Sequence, residues 1–205
     1  MLKTSILIIF GFVCATSIAQ NFGGGIILGV SSSQVGGDNL GGFDKAGLLI
    51  GAFTNKLISE SISLQLEMNF IMKGSNNAEM SNTQHKDFAR EDISLSYLEL
   101  PLLVKYHQSS LLDIEAGMLF AYLIKGYYND LNGRIPYNNT NPFIKYDIGA
   151  LLGLSYKYSK KINFNTRISN SILPIGEEDY TGNKGNPYRK GKYNSVLSFA
   201  IHYNI

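Results

Sequence analysis

The chain has 205 residues and a mass of 22.7 kDa, which is the size of one ordinary domain. Its formal net charge is +2, 44% of its residues are hydrophobic and 17% are charged, below the roughly 25% of an average soluble protein. The apolar content excludes a disordered chain, and the absence of a basic excess argues against a nucleic-acid partner. The single cysteine, Cys14, excludes a scaffold held by disulfides within the chain.

The N-terminal segment has the three parts of a secretory signal. Lys3 supplies the positive charge near the start, and residues 6–15 form an apolar run too short to span a bilayer as a helix. Ser17 and Ala19 are the small residues expected at positions −3 and −1 of a cleavage site before Gln20. We therefore predict a signal peptide over residues 1–19 and one barrel domain over residues 20–205. The alternative is a buried N-terminal strand or helix.

The rest of the chain alternates between apolar and polar residues with a period of two. In the clearest run, residues 61–73, the even positions are apolar and the odd positions are polar except Ile71. No other segment has eighteen consecutive apolar residues, so only strands could cross a membrane. The alternation predicts eight strands: Phe22–Ser32, Lys45–Asn55, Ser61–Lys73, Leu98–Tyr106, Asp113–Lys125, Ile144–Lys157, Ile162–Ile172 and Tyr193–Ile205.

Short and long connections alternate between these strands. In an up-and-down barrel, this alternation puts every short turn on one rim and every long loop on the other, as in bacterial outer-membrane barrels. We therefore predict an all-β, eight-stranded antiparallel transmembrane barrel in the outer membrane. The predicted short turns are 56–60, 107–112 and 158–161, and the long loops, rich in Gly, Asn, Ser and Asp, are 33–44, 74–92, 126–142 and 174–191.

The alternation alone does not say which face points to the barrel axis. The polar face consists mainly of Gly, Ser, Asn and Ala with isolated charges, which suits the crowded lumen of eight strands. Aromatic residues end the apolar faces, as in the girdles of membrane barrels: Phe70, Tyr122, Tyr146 and Tyr193 toward the long loops, and Tyr106, Tyr156 and Tyr203 toward the short turns. We expect the apolar face to point outward. The alternative is a secreted, soluble, lipocalin-like ligand-binding barrel.

Charged residues on the polar face suggest either an ion path or a structural network that fills the lumen. We favour the network, because isolated buried charges are costly whereas paired ones are tolerable. Across the short turns, the register we expect pairs Lys105 with Glu115 and Gly153 with Arg167. The predicted network consists of Glu67, Glu99, Lys105, Glu115 and Arg167, with further charges toward the long loops at Lys45, Lys73, Lys125, Lys145 and Asp147.

Motifs for catalysis and metal binding are missing from the sequence. His85, His107 and His202 have no metal-ligand spacing, and neither a G-x-S-x-G motif nor a P-loop occurs. A lipid-modifying enzyme could pair His85 with Asp87 or His202 with Ser198, on residue type alone. We predict no enzyme, no metal and no cofactor, and we disfavour a pore because eight strands leave no continuous channel.

The segment Tyr97-Leu98-Glu99-Leu100-Pro101-Leu102-Leu103-Val104-Lys105-Tyr106 resembles the Y-L-E-(I/L)-P-x-L-x-K-Y signature of PorT-like outer-membrane β-barrel proteins of Bacteroidota. Three further segments resemble the same family: Leu64–Glu67 with Lys73-Gly74, Lys45–Gly47 with Gly51, and Glu115–Gly117 with Tyr122-Leu123. The resemblance implies an eight-stranded barrel that assembly machinery inserts into the outer membrane. The chain departs from the usual pattern at its last residue, which is Ile205 instead of an aromatic.

The long loops are the remaining candidates for a binding function. Residues 131–142 and 180–193 carry Asn, Gly, Arg, Lys and four tyrosines: Tyr137, Tyr180, Tyr188 and Tyr193. The alternative is that these loops are merely solvated. We predict a non-enzymatic outer-membrane barrel that is structural or binds an envelope or surface partner through these loops. An accessory role in a PorT-type secretion or gliding system stays open as an alternative.

Overall fold

The computed structural model describes residues 22–37, 42–76, 92–130, 133–135, 143–176 and 191–205. The predicted signal segment, the pair of His85 and Asp87, and three of the loop tyrosines therefore lie outside the described residues. The described part of the chain contains no helix that is long and apolar enough to cross a membrane.

The described residues form nine β-strands, eight of which are long. They are β1 (Phe22–Gly36), β2 (Lys45–Ser59), β3 (Ile62–Asn76), β4 (Asp92–His107), β5 (Leu112–Asp130), β6 (Gly133–Ile135), β7 (Tyr146–Lys157), β8 (Ile162–Ser171) and β9 (Tyr193–Asn204). The long strands pair antiparallel in chain order, and β9 pairs with β1, which closes the barrel. The predicted eight-stranded barrel is confirmed. The short β6, which pairs with the end of β5, is an addition that the alternation did not predict.

The strands are staggered as they pass around the barrel. A line drawn from residue to paired residue starts at Gly23 of β1 and returns to β1 at Ser33. Its steps are Gly23, Asn55, Gln65, Leu103, Gly117, Leu151, Ser169, Val196 and Ser33. Because the stagger tilts the strands against the barrel axis, it fixes the diameter together with the strand number. Eight strands enclose an interior just wide enough for side chains to fill.

The apolar face points away from the barrel axis, as expected. Leu64, Leu66, Leu100 and Leu152 on this face are between 41% and 61% exposed, whereas the alternating positions are buried. Six of the seven predicted girdle aromatics are exposed on the same surface, and Tyr193 is half-buried. The six are Phe70, Tyr122 and Tyr146 toward the long loops, and Tyr106, Tyr156 and Tyr203 toward the short turns.

Apolar side chains also occupy part of the lumen. Leu49 and Phe53 on β2 and Ile71 on β3, which interrupt the alternation in the sequence, point inward and are buried. The long-loop end of the described barrel is packed with further buried apolar residues, namely Val35, Ile93, Leu95, Leu123, Phe143 and Ile175. The lumen is therefore filled by apolar as well as polar side chains.

Two lysines that we placed on the polar face are exposed instead. The register between β4 and β5 skips Ile124, and this bulge leaves Ile124 and Lys125 both exposed. Lys145 precedes β7, which begins at Tyr146 and not at Ile144 as predicted, and its side chain is exposed too. In both cases the local break in the alternation removes the lysine from the lumen.

Candidate functional site in the lumen

Arg167 of β8 joins three strands across the lumen. Its Nη1 and Nη2 atoms donate to the two carboxylate oxygens of Glu67 on β3, at 2.7 Å each. Its Nε atom donates to Oε2 of Glu115 on β5 at 2.8 Å. All three guanidinium nitrogens therefore bind carboxylates, and the side chain ties β8 to two strands that are not its neighbours in the sheet.

Glu115 is held by two further donors. Lys105 Nζ lies 2.8 Å from Oε1 of Glu115, and Asn165 Nδ2 donates to Oε2 at 2.9 Å. Lys105 and Glu115 are paired in the register of β4 and β5, and Gly153 is paired with Arg167 in the register of β7 and β8. Both pairings that the sequence predicts across the short turns are confirmed.

Glu67 is likewise surrounded by amide donors. Gln65 Nε2 and Asn69 Nδ2 donate to its two oxygens at 2.5 and 2.8 Å, and Lys105 Nζ donates to Gln65 Oε1 at 3.3 Å. These residues form what we call the central cluster: Glu67, Lys105, Glu115 and Arg167 with the amides Gln65, Asn69 and Asn165. Its two positive and two negative side chains are all buried and balance each other.

Glu99 belongs to a second group. Its carboxylate forms an ion pair with Lys73, whose Nζ also lies 3.8 Å from Oδ2 of Asp147. Asn194 Nδ2 donates to the same Asp147 oxygen at 2.9 Å. The register pairs Glu99 with Asn69, two residues beyond Glu67, so Glu99 lies nearer to the long-loop rim. We call Lys73, Glu99, Asp147 and Asn194 the upper cluster. The structure thus divides the five predicted network residues between two clusters.

A third charged group, which was not predicted from the sequence, lies at the short-turn rim. Asp113 Oδ1 is 2.8 Å from His107 Nδ1 and 2.6 Å from Lys157 Nζ. Asp113 is buried, whereas the other two side chains are partly exposed. His107 and Asp113 are paired across the β4–β5 turn. The same cross-turn comparison that predicts the pairing of Lys105 with Glu115 could have found them.

His202 does not form the pair with Ser198 that an enzyme would need. It points inward from β9, is 1% exposed, and its ring centroid lies 5.3 Å from that of Phe53. Neither of its nitrogens has a hydrogen-bond partner within the described part of the chain. Among the same described residues, no three or more His, Cys, Asp or Glu side chains lie close enough together to hold a metal ion.

Comparisons with known proteins agree with this architecture. The sequence profile described as "Outer membrane protein beta-barrel domain" matches residues 17–175, which include β1 to β8. No curated protein matches the chain.

Two solved structures have the same fold at low sequence identity. Neisserial surface protein A has a TM-score of 0.53 and 12% identity, over 89% of this chain and 97% of that one. Ail, the attachment invasion locus protein of Yersinia pestis, solved with the heparin analogue sucrose octasulfate, has a TM-score of 0.50 and 9% identity, over 90% of this chain and 99% of that one. From its profile match and its closed barrel, the chain belongs to the outer membrane protein beta-barrel domain family and is an eight-stranded barrel of the outer membrane.

Proposed function

We propose that this barrel is a non-enzymatic outer-membrane protein with a closed lumen, and that its long loops bind an envelope or surface partner. The observation that carries the proposal is the contact of Arg167 with Glu67 and Glu115 across the bore. The central cluster occupies the middle of the lumen with a charge-balanced set of ion pairs, and apolar side chains pack its long-loop end. A rigid, filled barrel leaves the loops as the part that can meet a partner.

Current measurements in planar lipid bilayers test the closed lumen. We expect the purified wild-type barrel to give no discrete current steps, because the buried side chains of the central cluster fill the middle of a narrow lumen. A porin inserted into the same bilayer provides the positive control. Regular steps from the wild-type barrel, in proportion to the amount of protein inserted, would contradict the closed lumen.

Replacement of loop residues by flexible spacers tests whether the long loops bind the partner. All four long connections leave the same rim, where the described strands end at Gly36, Asn76, Asp130 and Ser171. We expect a variant with residues 136–142 and 180–189, within the two loops predicted to bind, replaced by Gly-Ser spacers to lose the crosslinks that the wild-type barrel forms on intact cells. A sulfated glycan is one probe to add, since Ail was solved with a heparin analogue. Crosslinks that persist after the exchange would place the binding surface elsewhere.

The proposal that the protein is not an enzyme is supported by the placement of the two histidines that the structure describes. His202 lies beside Phe53 inside the lumen, away from the lipid-facing surface, and His107 is held by Asp113 at the short-turn rim. The purified barrel should therefore release no product from phospholipid or lipopolysaccharide in mixed micelles. A product whose formation is lost in His107→Ala or His202→Ala would establish a lipid-modifying enzyme instead.

We also propose that residues 1–19 are removed on export and that the barrel-assembly machinery inserts the mature chain into the outer-membrane lipid. N-terminal sequencing of protein from the outer membrane should then begin at Gln20. Depletion of the assembly machinery should leave the chain unfolded in the periplasm. An N-terminus that retains residues 1–19 would contradict the proposed cleavage.

Membership of the PorT-like group of Bacteroidota is a further proposal, which rests on the motif from Tyr97 to Tyr106. Its residues Tyr97, Glu99 and Lys105 lie on β4, point into the lumen of the barrel and are buried. Because these buried residues pack inside the barrel, they cannot contact a secretion partner directly. The motif therefore supports common descent with this group more than it supports a shared role in secretion. Deletion of the gene should therefore leave secretion and gliding intact, and a defect in either would favour the accessory role.

A further inference from the structure

The turn between β7 and β8 differs from the other two short turns in its charge. It consists of residues 158–161 and carries two exposed lysines, Lys160 and Lys161. The turn between β2 and β3 is Glu60-Ser61, and the turn between β4 and β5 covers residues 108–111, so neither has a lysine. Among the residues of the three short turns, both lysines therefore lie between β7 and β8.

Exposed aromatic side chains lie in this turn and on the strands that adjoin it. Tyr158 is 66% exposed and meets Phe164 edge to face, with ring centroids 5.7 Å apart. Lys161 Nζ lies 5.6 Å from the ring centroid of Tyr203 and donates to its hydroxyl group at 3.4 Å. Because Tyr203 belongs to the aromatic girdle, this contact keeps the Lys161 ammonium at the boundary between lipid and water.

The turn backbone is held in place by its own hydrogen bonds. The Ser159 hydroxyl oxygen accepts from the backbone N–H groups of Lys161 and Ile162 at 3.3 and 3.1 Å. Asn204 Nδ2, at the end of β9, donates to the carbonyl oxygen of Lys160 at 3.2 Å. Both lysines therefore start from a held backbone, so binding of an anion does not have to order the turn as well.

A second lysine–aromatic pair lies on the adjoining strands at the same rim. Lys56 Nζ of β2 is 5.5 Å from the ring centroid of Phe22, which is its register partner at the start of β1. Since β8, β9, β1 and β2 are consecutive in the sheet, the two pairs occupy one continuous arc of the rim. This arc has the composition that favours contact with anionic lipid headgroups.

We propose that Tyr158, Lys160, Lys161 and Tyr203 form a binding site for the headgroup phosphate of an anionic phospholipid in the periplasmic leaflet. Short turns of outer-membrane barrels face the periplasm, so the site lies at the depth of these headgroups. The two ammonium groups attract the phosphate, and the exposed rings of Tyr158 and Tyr203 contact the upper part of the acyl chains. The site does not depend on what the long loops bind.

Native mass spectrometry of the folded barrel in neutral detergent tests the site. The wild type should retain phosphatidylglycerol in preference to phosphatidylcholine. Each lysine near an anionic surface contributes about a fivefold change in affinity, so the double variant K160Q/K161Q should bind phosphatidylglycerol roughly twenty- to thirtyfold more weakly. Phosphatidylcholine binding should stay unchanged.

The double variant K125Q/K145Q is the matched control, because it removes two exposed lysines toward the opposite rim. It should bind phosphatidylglycerol like the wild type. Equal loss in both variants, or no loss in K160Q/K161Q, would overturn the proposal. So would displacement of the lipid by inorganic phosphate at matched ionic strength, or a preference for lipopolysaccharide that K160Q/K161Q abolishes.

If K160Q/K161Q does not fold, Tyr203→Phe, which removes only the hydroxyl contact of Lys161, should still weaken phosphatidylglycerol binding.

Discussion

The guanidinium of Arg167 and the carboxylate of Glu67 lie side by side across the bore, although they are 100 positions apart in the chain. Two donors face two acceptors, which is the strongest common pairing of charged side chains. Arg167 is 8% exposed and Glu67 is 1% exposed, so water cannot replace either partner. Loss of one partner would leave the other as an uncompensated buried charge.

Arg167→Ala should therefore lower the free energy of unfolding by roughly 3–5 kcal/mol, because it leaves Glu67 with amide donors alone. Urea or thermal unfolding in detergent, followed by circular dichroism, measures the change. Lys145→Ala, at an exposed position, is the control and should change stability by about 0.5 kcal/mol or less. A variant at position 167 that unfolds like the wild type would refute a stabilising role for the central cluster.

Gly153→Val should also destabilise the barrel. A Cβ atom at Gly153 would lie 2.6 Å from Cγ of Arg167 and 3.0 Å from the carbonyl oxygen of Thr166. Arg167 would have to move away from Glu115, and overpacking of this kind costs typically about 1–3 kcal/mol. Leu152→Val, at the adjacent outward-facing position, is the control and should have a smaller effect. Equal stability of Gly153→Val and the wild type would mean that the lumen has room at this level.

Leu100→Arg tests the outward direction of the apolar face. Leu100 lies near the middle of β4 and faces lipid, where an arginine costs about 2–4 kcal/mol at the midplane of a bilayer. Reversible unfolding in lipid vesicles should show this loss, and Leu100→Ala should show a smaller one. If Leu100→Arg costs no more than Leu100→Ala, the face does not contact lipid.

Heat-modifiability on a gel tests the closed barrel directly. The unboiled protein should migrate differently from the boiled protein, because the paired ring of strands resists detergent until it is heated. Fractionation of cells should recover the chain with the outer membrane. A chain that stays in buffer without detergent would contradict the membrane location.

Local patterns were sufficient to predict the strands and the contacts across short turns. Lys105 and Glu115 lie on the same face of neighbouring strands, and the short turn between β4 and β5 sets the register that pairs them. The direction of the apolar face followed from the small and polar composition of the other face. The strands β1, β3, β4 and β5 extend further toward the long loops than the alternation indicates.

Contacts across the bore could not be predicted, because they depend on the stagger of all eight strands. Glu99 forms an ion pair with Lys73 and not with Arg167. The register of β3 and β4 pairs Glu99 with Asn69, which places Glu99 two residues nearer to the long-loop rim than Glu67, the partner of Arg167. Lys125 is exposed because the register of β4 and β5 has a bulge at Ile124, and the residue types around it do not predict one. Phe143 and Ile175 lie in connections, outside any alternating run, and yet are buried.

The contact between Arg167 and Glu67 also orders the folding of the chain. β8 and β3 are not neighbours in the sheet, so their side chains meet across the bore only when β1 and β9 come together. Contacts between positions so distant in sequence form late, because the loop between them must close first. Closure of the seam between β1 and β9 is therefore also what brings Glu67 to Arg167, whose other carboxylate partner, Glu115, lies on the β5 side of the sheet and does not depend on that seam.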